Sequence, residues 1–211
     1  MGRRLICFVS LVMTLALASG SYGVVVGNFE SGLDNWAPKD AALTQSTTGA
    51  TTGAKAMQVV GPGGWHIDSL LDMKAYRNVL GSANAKITAD VTAFAADMTT
   101  PWMQVEMVIN GQNNNDNGAN NNIGWQQLGS HDVVLDGLPH AHTWQVPGAL
   151  SQKIAGTDQN IGWFELAMVT NLDGASPTKF YIDNVQFIPE PATLALLGLG
   201  GLALLRRRRA A

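Results

Sequence analysis

Cysteine, charge and aromatic side chains are all scarce in this sequence. The one cysteine, Cys7, lies inside an apolar run near the N-terminus. With that run set aside, the rest of the chain has no thiol. This excludes a disulfide framework, a cysteine-based zinc site and a thiol nucleophile. No cysteine follows the run, which argues against a lipid-anchored protein. Charged residues make up only 14% of the chain, and Arg3, Arg4 and Arg206 to Arg209 take a large share of the basic ones. Between residues 24 and 188, seven basic residues stand against fifteen acidic ones, a net of −8. A surface of that sign repels phosphate backbones and excludes nucleic acid as a partner. There is no Ser-His-Asp context, nucleophile elbow or phosphate-binding glycine loop. The stretch "NNNDNGANNN" has the composition of an EF-hand loop but lacks its terminal glutamate.

The two ends read as addresses. Arg3 and Arg4 precede an uncharged apolar run, Leu5 to Ala18, and small residues follow around Ala18-Ser19-Gly20 and Ser21-Tyr22-Gly23. This is the pattern of a secretion signal, so residues 1–23 are expected to form a signal helix removed by signal peptidase. At the other end, Pro189-Glu190-Pro191 precedes an apolar run, Ala192 to Leu205, and then four arginines. As a helix that run would extend ~21 Å, short of a ~30 Å hydrocarbon core. Snorkelling flanks help such a helix to span, with the arginines kept cytoplasmic.

The interior, residues 24–188, is one domain's length, rich in Gly, Asn and Thr. Short β-like runs punctuated by turn residues predict an all-β sandwich with one or two short helices. Strands are expected near 24–29, 41–45, 56–60, 85–94, 102–110, 132–135, 142–146, 163–170 and 179–187. Helices are expected over 70–80 and over 148–154, after Pro147. Residues 112–122 read as an Asn-rich loop. Alternation is cleanest in three strands. Ile87, Ala89 and Val91 oppose Lys86, Thr88, Asp90 and Thr92. Met103, Val105, Met107 and Ile109 oppose Trp102, Gln104 and Glu106. Phe164, Leu166 and Met168 oppose Trp163, Glu165 and Ala167. Trp36 and Trp144 are assigned to packing.

The tail string "PEPATLALLGLGGLALLRRRR" resembles the PEP-CTERM sorting signal of Gram-negative bacteria over residues 189–211. The resemblance implies recognition by an exosortase through Pro189, Glu190 and Pro191, with Arg206, Arg207, Arg208 and Arg209 as the terminal cluster. It also implies transient anchoring in the inner membrane, then a place at the cell surface or in an exopolysaccharide matrix. The domain opens with "VVVGNFESGLDNWAP", turns through "TTGAKAMQVV" and closes with "FYIDNVQFIPEP". These strings resemble the galactose-binding-like jelly rolls common among carbohydrate-binding modules. That resemblance implies a structural Ca2+ where the first and last strands meet, with Glu30 and Asp183 as ligands and carbonyls around Thr52 to Lys55 completing the shell.

Two further constellations bear on function. Sugars stack their C–H faces on aromatic rings and pair their hydroxyls with amides and carboxylates. Trp102, Gln104, Glu106, Trp163, Glu165 and Asp90 on strand faces, with Trp65, Trp125 and Gln127 on loops, are the candidates for binding an extracellular polysaccharide. Glu106 and Glu165 are the one carboxylate pair to consider for glycoside hydrolysis. His140 and His142 share a strand face and, with His131 or Asp132, have zinc-ligand chemistry; their plainer reading is as surface histidines. The expected function is a non-catalytic module that binds polysaccharide. The alternatives are a structural or adhesive matrix protein without a ligand, and a polysaccharide hydrolase or lyase.

Overall fold

Alternating apolar and polar residues give each long strand one face for a core, and two such faces close on each other here. The computed structural model describes residues 23–113, 122–157, 161–172 and 178–189. The signal-like segment, most of the Asn-rich stretch and the tail from Glu190 onward lie outside the described residues. Residues Gly23–Pro189 form one compact unit.

In chain order the strands are β1 (Val24–Gly27), β2 (Trp36–Pro38), β3 (Ala42–Ser46), β4 (Ala56–Gly61), β5 (His66–Asp72), β6 (Lys86–Phe94), β7 (Met103–Asn113), β8 (Gly124–Asp132), β9 (Asp136–Gln145), β10 (Ile161–Leu172) and β11 (Thr178–Ile188). Two short helices join them, α1 (Arg77–Leu80) and α2 (Gly148–Ala155). One sheet runs β3-β4-β11-β6-β9, with β1 also paired to β11. The other runs β2-β5-β10-β7-β8. All pairings are antiparallel. The layers form the expected jelly-roll sandwich.

The inward faces supply the core. Ile87, Ala89, Val91, Phe180, Ile182 and Phe187 come from the six-stranded sheet, and Met103, Val105, Met107, Phe164, Leu166 and Met168 from the five-stranded one. Trp36 and Trp144, assigned to packing, are buried in it. Truncating a side chain such as Trp144 to Ala costs ~3–5 kcal/mol in a core of this kind. The β11 ladder shifts register between Asp183 and Gln186, and Asn184 there adopts φ 53. Asparagine tolerates that left-handed backbone better than most residues, and the bulge rotates the neighbouring Asp183 into its contacts.

Some expected elements differ. Residues 70–80 are not one helix. β5 continues to Asp72 and the helical turn begins at Lys74, because Leu70 and Leu71 belong to opposite faces of a strand. Of the strand expected over 132–135, Asp132 ends β8 and residues 133–135 are the turn between β8 and β9. The paired segments lie on either side of it. The helix after Pro147 forms as expected. Among the described residues no helix is long and apolar enough to cross a membrane.

Candidate functional site: the outer face of the five-stranded sheet

β7 and β10 lie side by side at the centre of this sheet, so their second faces form one surface. Its floor is apolar. Val108, Ala167 and Val169 are buried and packed by Ile67 and Leu70, forming a cluster separate from the main core. Polar residues stand around that floor, and neighbours hold them in place. Gln127 Nε2 donates to Glu106 Oε2 at 3.1 Å. Gln104 Nε2 donates to Asp132 Oδ1 at 2.8 Å, and Asn110 Nδ2 to Glu165 Oε1 at 3.2 Å. Such lateral bonds fix side chains before a ligand arrives and lower the entropy lost on binding.

Trp65 and Trp125 close over this surface. Trp65 precedes β5 and Trp125 sits on β8, with β10 and β7 between them. Three strand spacings amount to ~14 Å, yet the ring centroids are 6.3 Å apart, tilted by 58°. The indoles therefore reach toward each other across the two central strands. Trp65, Gln104, Glu106, Gln127, Ser130, Val169 and Asn171 line a hollow of about 240 Å³. Both rings remain well exposed, Trp65 at 53% and Trp125 at 37%. Two exposed indoles side by side, Trp65 lining a polar hollow, offer a stacking platform rather than core packing.

A second hollow, about 260 Å³, is lined by Trp163, Glu165 and Asp72, with Asn35, Leu70 and Lys74 among its other walls. Trp163 Nε1 donates to Gln112 Oε1 at 3.0 Å, which fixes the ring. Glu165 stands directly opposite Asp72. Burial raises its carboxyl above the usual range and the Asp72 charge adds to that, against the Asn110 hydrogen bond and Lys39.

Most of the sequence candidates thus share one face, though not one point. Trp65, Gln104, Glu106 and Gln127 meet at the first hollow, and the Trp125 ring lies beside that of Trp65. Trp163 and Glu165 meet at the second. Trp102, 38% exposed, precedes β7 beyond Gln104, while Trp163 pairs with Gln112 at the far end. Ten residues of strand separate those ends, ~33 Å. Asp90 lies on the other sheet, where it accepts the Thr51 hydroxyl at 2.6 Å and the Asn184 amide at 3.2 Å. It does not belong to this face. Val169 and Asn171 went unnamed in the sequence reading, although extending the alternation of Trp163, Glu165 and Ala167 reaches both. Ser130 carries no sequence signal.

Glu30 and Asp183 both hold the turn before β4. Asp183 Oδ2 accepts the Thr51 and Thr52 N–H groups at 2.7 and 2.8 Å. Glu30 Oε1 accepts those of Ala54 and Lys55 at 2.8 and 2.7 Å. Calcium requires oxygen ligands, and here amide donors face these carboxylates. As arranged, the residues fit a hydrogen-bonded clasp rather than a calcium shell.

His140 bonds Asp136 at 3.0 Å, while His131 and His142 face each other with centroids 5.3 Å apart. Among the described residues no three His, Cys, Asp or Glu side chains are gathered for a metal.

The profile described as the PEP-CTERM protein-sorting motif matches residues 187–209. The tail carries this sorting motif. Its match begins on β11 itself, and Pro189, which lacks an N–H, follows the strand's last residue. No curated protein matches this chain. Solved structures resemble its sandwich. The CBM22-1 xylan-binding domain of Paenibacillus barcinonensis Xyn10C aligns at 14% identity with a TM-score of 0.53, covering 80% of this chain and 96% of that one. The Clostridium thermocellum Xyn10B CBM22-1–GH10 modules, complexed with xylohexaose, align at 16% identity and 0.54, covering 80% of this chain and 29% of that one. Caldicellulosiruptor saccharolyticus CBM27-1, in complex with mannohexaose, aligns at 13% identity and 0.54, covering 81% and 99%. At these identities the likeness is one of fold.

Proposed function

We propose that this is an exported, non-catalytic protein that holds an extended polysaccharide on the outer face of the five-stranded sheet. A secretion signal would direct export. The PEP-CTERM tail would anchor the chain in the inner membrane until an exosortase processes it for the cell surface or matrix. The observation that carries the binding reading is the exposed Trp65–Trp125 pair, with Trp65 lining a hollow of amides and a carboxylate. The spread of tryptophans along the face suits a polymer better than a single sugar. The fold neighbours complexed with hexaoses support the same reading.

Register argues against hydrolysis by the Glu106 and Glu165 pair. Glu106 pairs with Val169 and Glu165 with Asn110, four positions away along each strand. That is ~13 Å, beyond the ~5–9.5 Å that separates paired glycosidase carboxylates.

Affinity electrophoresis through a panel of soluble polysaccharides tests the proposal. Retardation by at least one polymer, lost in Trp65→Ala and Trp125→Ala, is the expected result. A folded protein that no polymer retards would overturn it and leave a structural matrix role.

A further inference from the structure

The strap that carries Trp65 is tied to a buried pair of titratable groups that the binding site itself does not use. Residues Gly61 to Trp65 link β4 of one sheet to β5 of the other. Gly63 and Gly64 adopt φ 89 and 74, left-handed values that glycine takes without steric cost. No atom lies within 4 Å of where a Gly64 side chain would begin, so the middle of the strap meets little packing. Its fixed point is the next residue. His66 is buried, and Nδ1 lies 3.2 Å from the Gly64 carbonyl oxygen. On the other side of the ring, Nε2 lies 2.9 Å from Asp68 Oδ1 and 3.1 Å from the Thr170 hydroxyl. Asp68 and Thr170 are fully buried, and Asp68 Oδ2 is without a hydrogen-bond partner.

These contacts determine where protons must be. The Gly64 carbonyl only accepts, so Nδ1 must carry hydrogen to hold it. A second proton must lie between Nε2 and Asp68, on one atom or the other. When one proton is lost, the neutral ring keeps its remaining hydrogen on Nε2, facing the Asp68 carboxylate, and the lone pair on Nδ1 then faces the Gly64 carbonyl. We propose that His66 is a positioning residue for the Trp65 strap. While the His66–Asp68 pair keeps both protons, Nδ1–H holds Gly64 and Trp65 stays over the hollow. Loss of one proton releases the strap. The inference rests on the binding reading only for its effect on glycan affinity.

The surroundings favour the held state near neutral pH. The charged groups facing His66 are Asp68 on β5 and Asp40 between β2 and β3. Thr170 on β10 and Gly61 on β4 pack against it without charge. Burial opposes a charge on His66, but the Asp68 bond and charge, the Gly64 carbonyl and Asp40 outweigh it and raise the ring above the usual histidine range. Burial likewise raises Asp68, against the bonds from His66 and Thr170. Both directions favour the protonated pair in the fold. The His66 contribution is therefore complete below the ordinary histidine value of 6.5 and is lost as pH rises through the raised one. Release occurs on the alkaline side.

The test is near-UV circular dichroism of the purified protein from about pH 5 to about pH 9, with Trp125→Phe identifying the signal of the indole pair. In the wild type that signal should fall at a midpoint above the ordinary histidine value, and polysaccharide affinity should weaken several-fold through the same interval. His66→Gln should abolish the transition. Asp40→Asn leaves the pair in place and removes one facing charge, so it should lower the midpoint even if the His66 variant does not fold. A flat wild-type signal, a transition that persists in His66→Gln, or a midpoint unmoved in Asp40→Asn would overturn the proposal. A transition with no polysaccharide bound at any pH would leave the positioning role standing and sink the binding reading instead.

Discussion

Asp183 and Thr51 are 132 positions apart in the chain, yet the Asp183 carboxylate accepts the Thr51 N–H at 2.7 Å. The same oxygen takes the Thr52 N–H at 2.8 Å, and Asp183 is fully buried. Asp183→Ala would leave these donors without their partner. Its expected cost is about 3 kcal/mol, since orphaned donors lose their full desolvation energy. Thermal or urea unfolding measures it. Held by these hydrogen bonds, the turn would need no calcium, so chelator should leave the unfolding midpoint of the wild type unchanged. A large drop on chelation would show that the turn instead directs oxygens at a bound ion.

The exposed tryptophans should separate binding from stability. Trp65→Ala and Trp125→Ala are each expected to lose about 2 kcal/mol of polysaccharide affinity, the scale of an aromatic anchor. Their unfolding midpoints should remain close to the wild type because neither ring is buried. Trp102→Ala, beyond both hollows, should weaken binding less. Isothermal titration with the best polymer from the panel compares all three.

His142 should make the fold sensitive to acid. Burial lowers its pKa first, and the neighbouring His131 and His140 lower it further, while Asp90 opposes them. A histidine depressed in the fold contributes stability that is present above its ordinary value of 6.5 and lost as pH falls toward the depressed one. His142→Phe should flatten that acid limb of the stability curve. Urea midpoints across the pH range would show it, and an unchanged slope would assign the sensitivity elsewhere.

Gly61 faces His66 too closely for any side chain. A Cβ there would lie 2.2 Å from His66 Nε2. Gly61→Ala must push the ring off Asp68, with an expected cost of about 1–3 kcal/mol by overpacking. Equilibrium unfolding is the readout, and a neutral result would mean that the ring has room to move.

The strands with clean alternation could be read from sequence because their two faces meet different surroundings. Ile87, Ala89 and Val91 showed their core face directly. β5 could not be read in the same way. Its register shifts beside Asp68, and His66, Asp68 and Ser69 are buried, so its polar residues pointed away from a strand. Asp68 Oδ1 and His66 Nε2 pair with each other, and such a partnership leaves no mark on periodicity. β8 carries "GWQQLGSHD" along a sheet edge with most side chains at least partly exposed, so no apolar face announces it. For the site, alternation gave the correct faces of β7 and β10. It could not say that antiparallel register puts Trp102 and Trp163 at opposite ends, or that Asp90 belongs to the other sheet.

The sorting motif begins within β11, with no spacer between strand and tail. Whatever grips the tail therefore loads Pro189, the residue after a strand bonded on one side to β4 and then, nearer the tail, to β1, and on the other side to β6. A polymer held on the opposite sheet would pull from the other layer. Tension between tether and cargo would cross the sandwich through the packed side chains of its core. Two ladders would have to shear together before the strand came free, so this attachment point resists drag better than an edge strand that could be peeled one bond at a time.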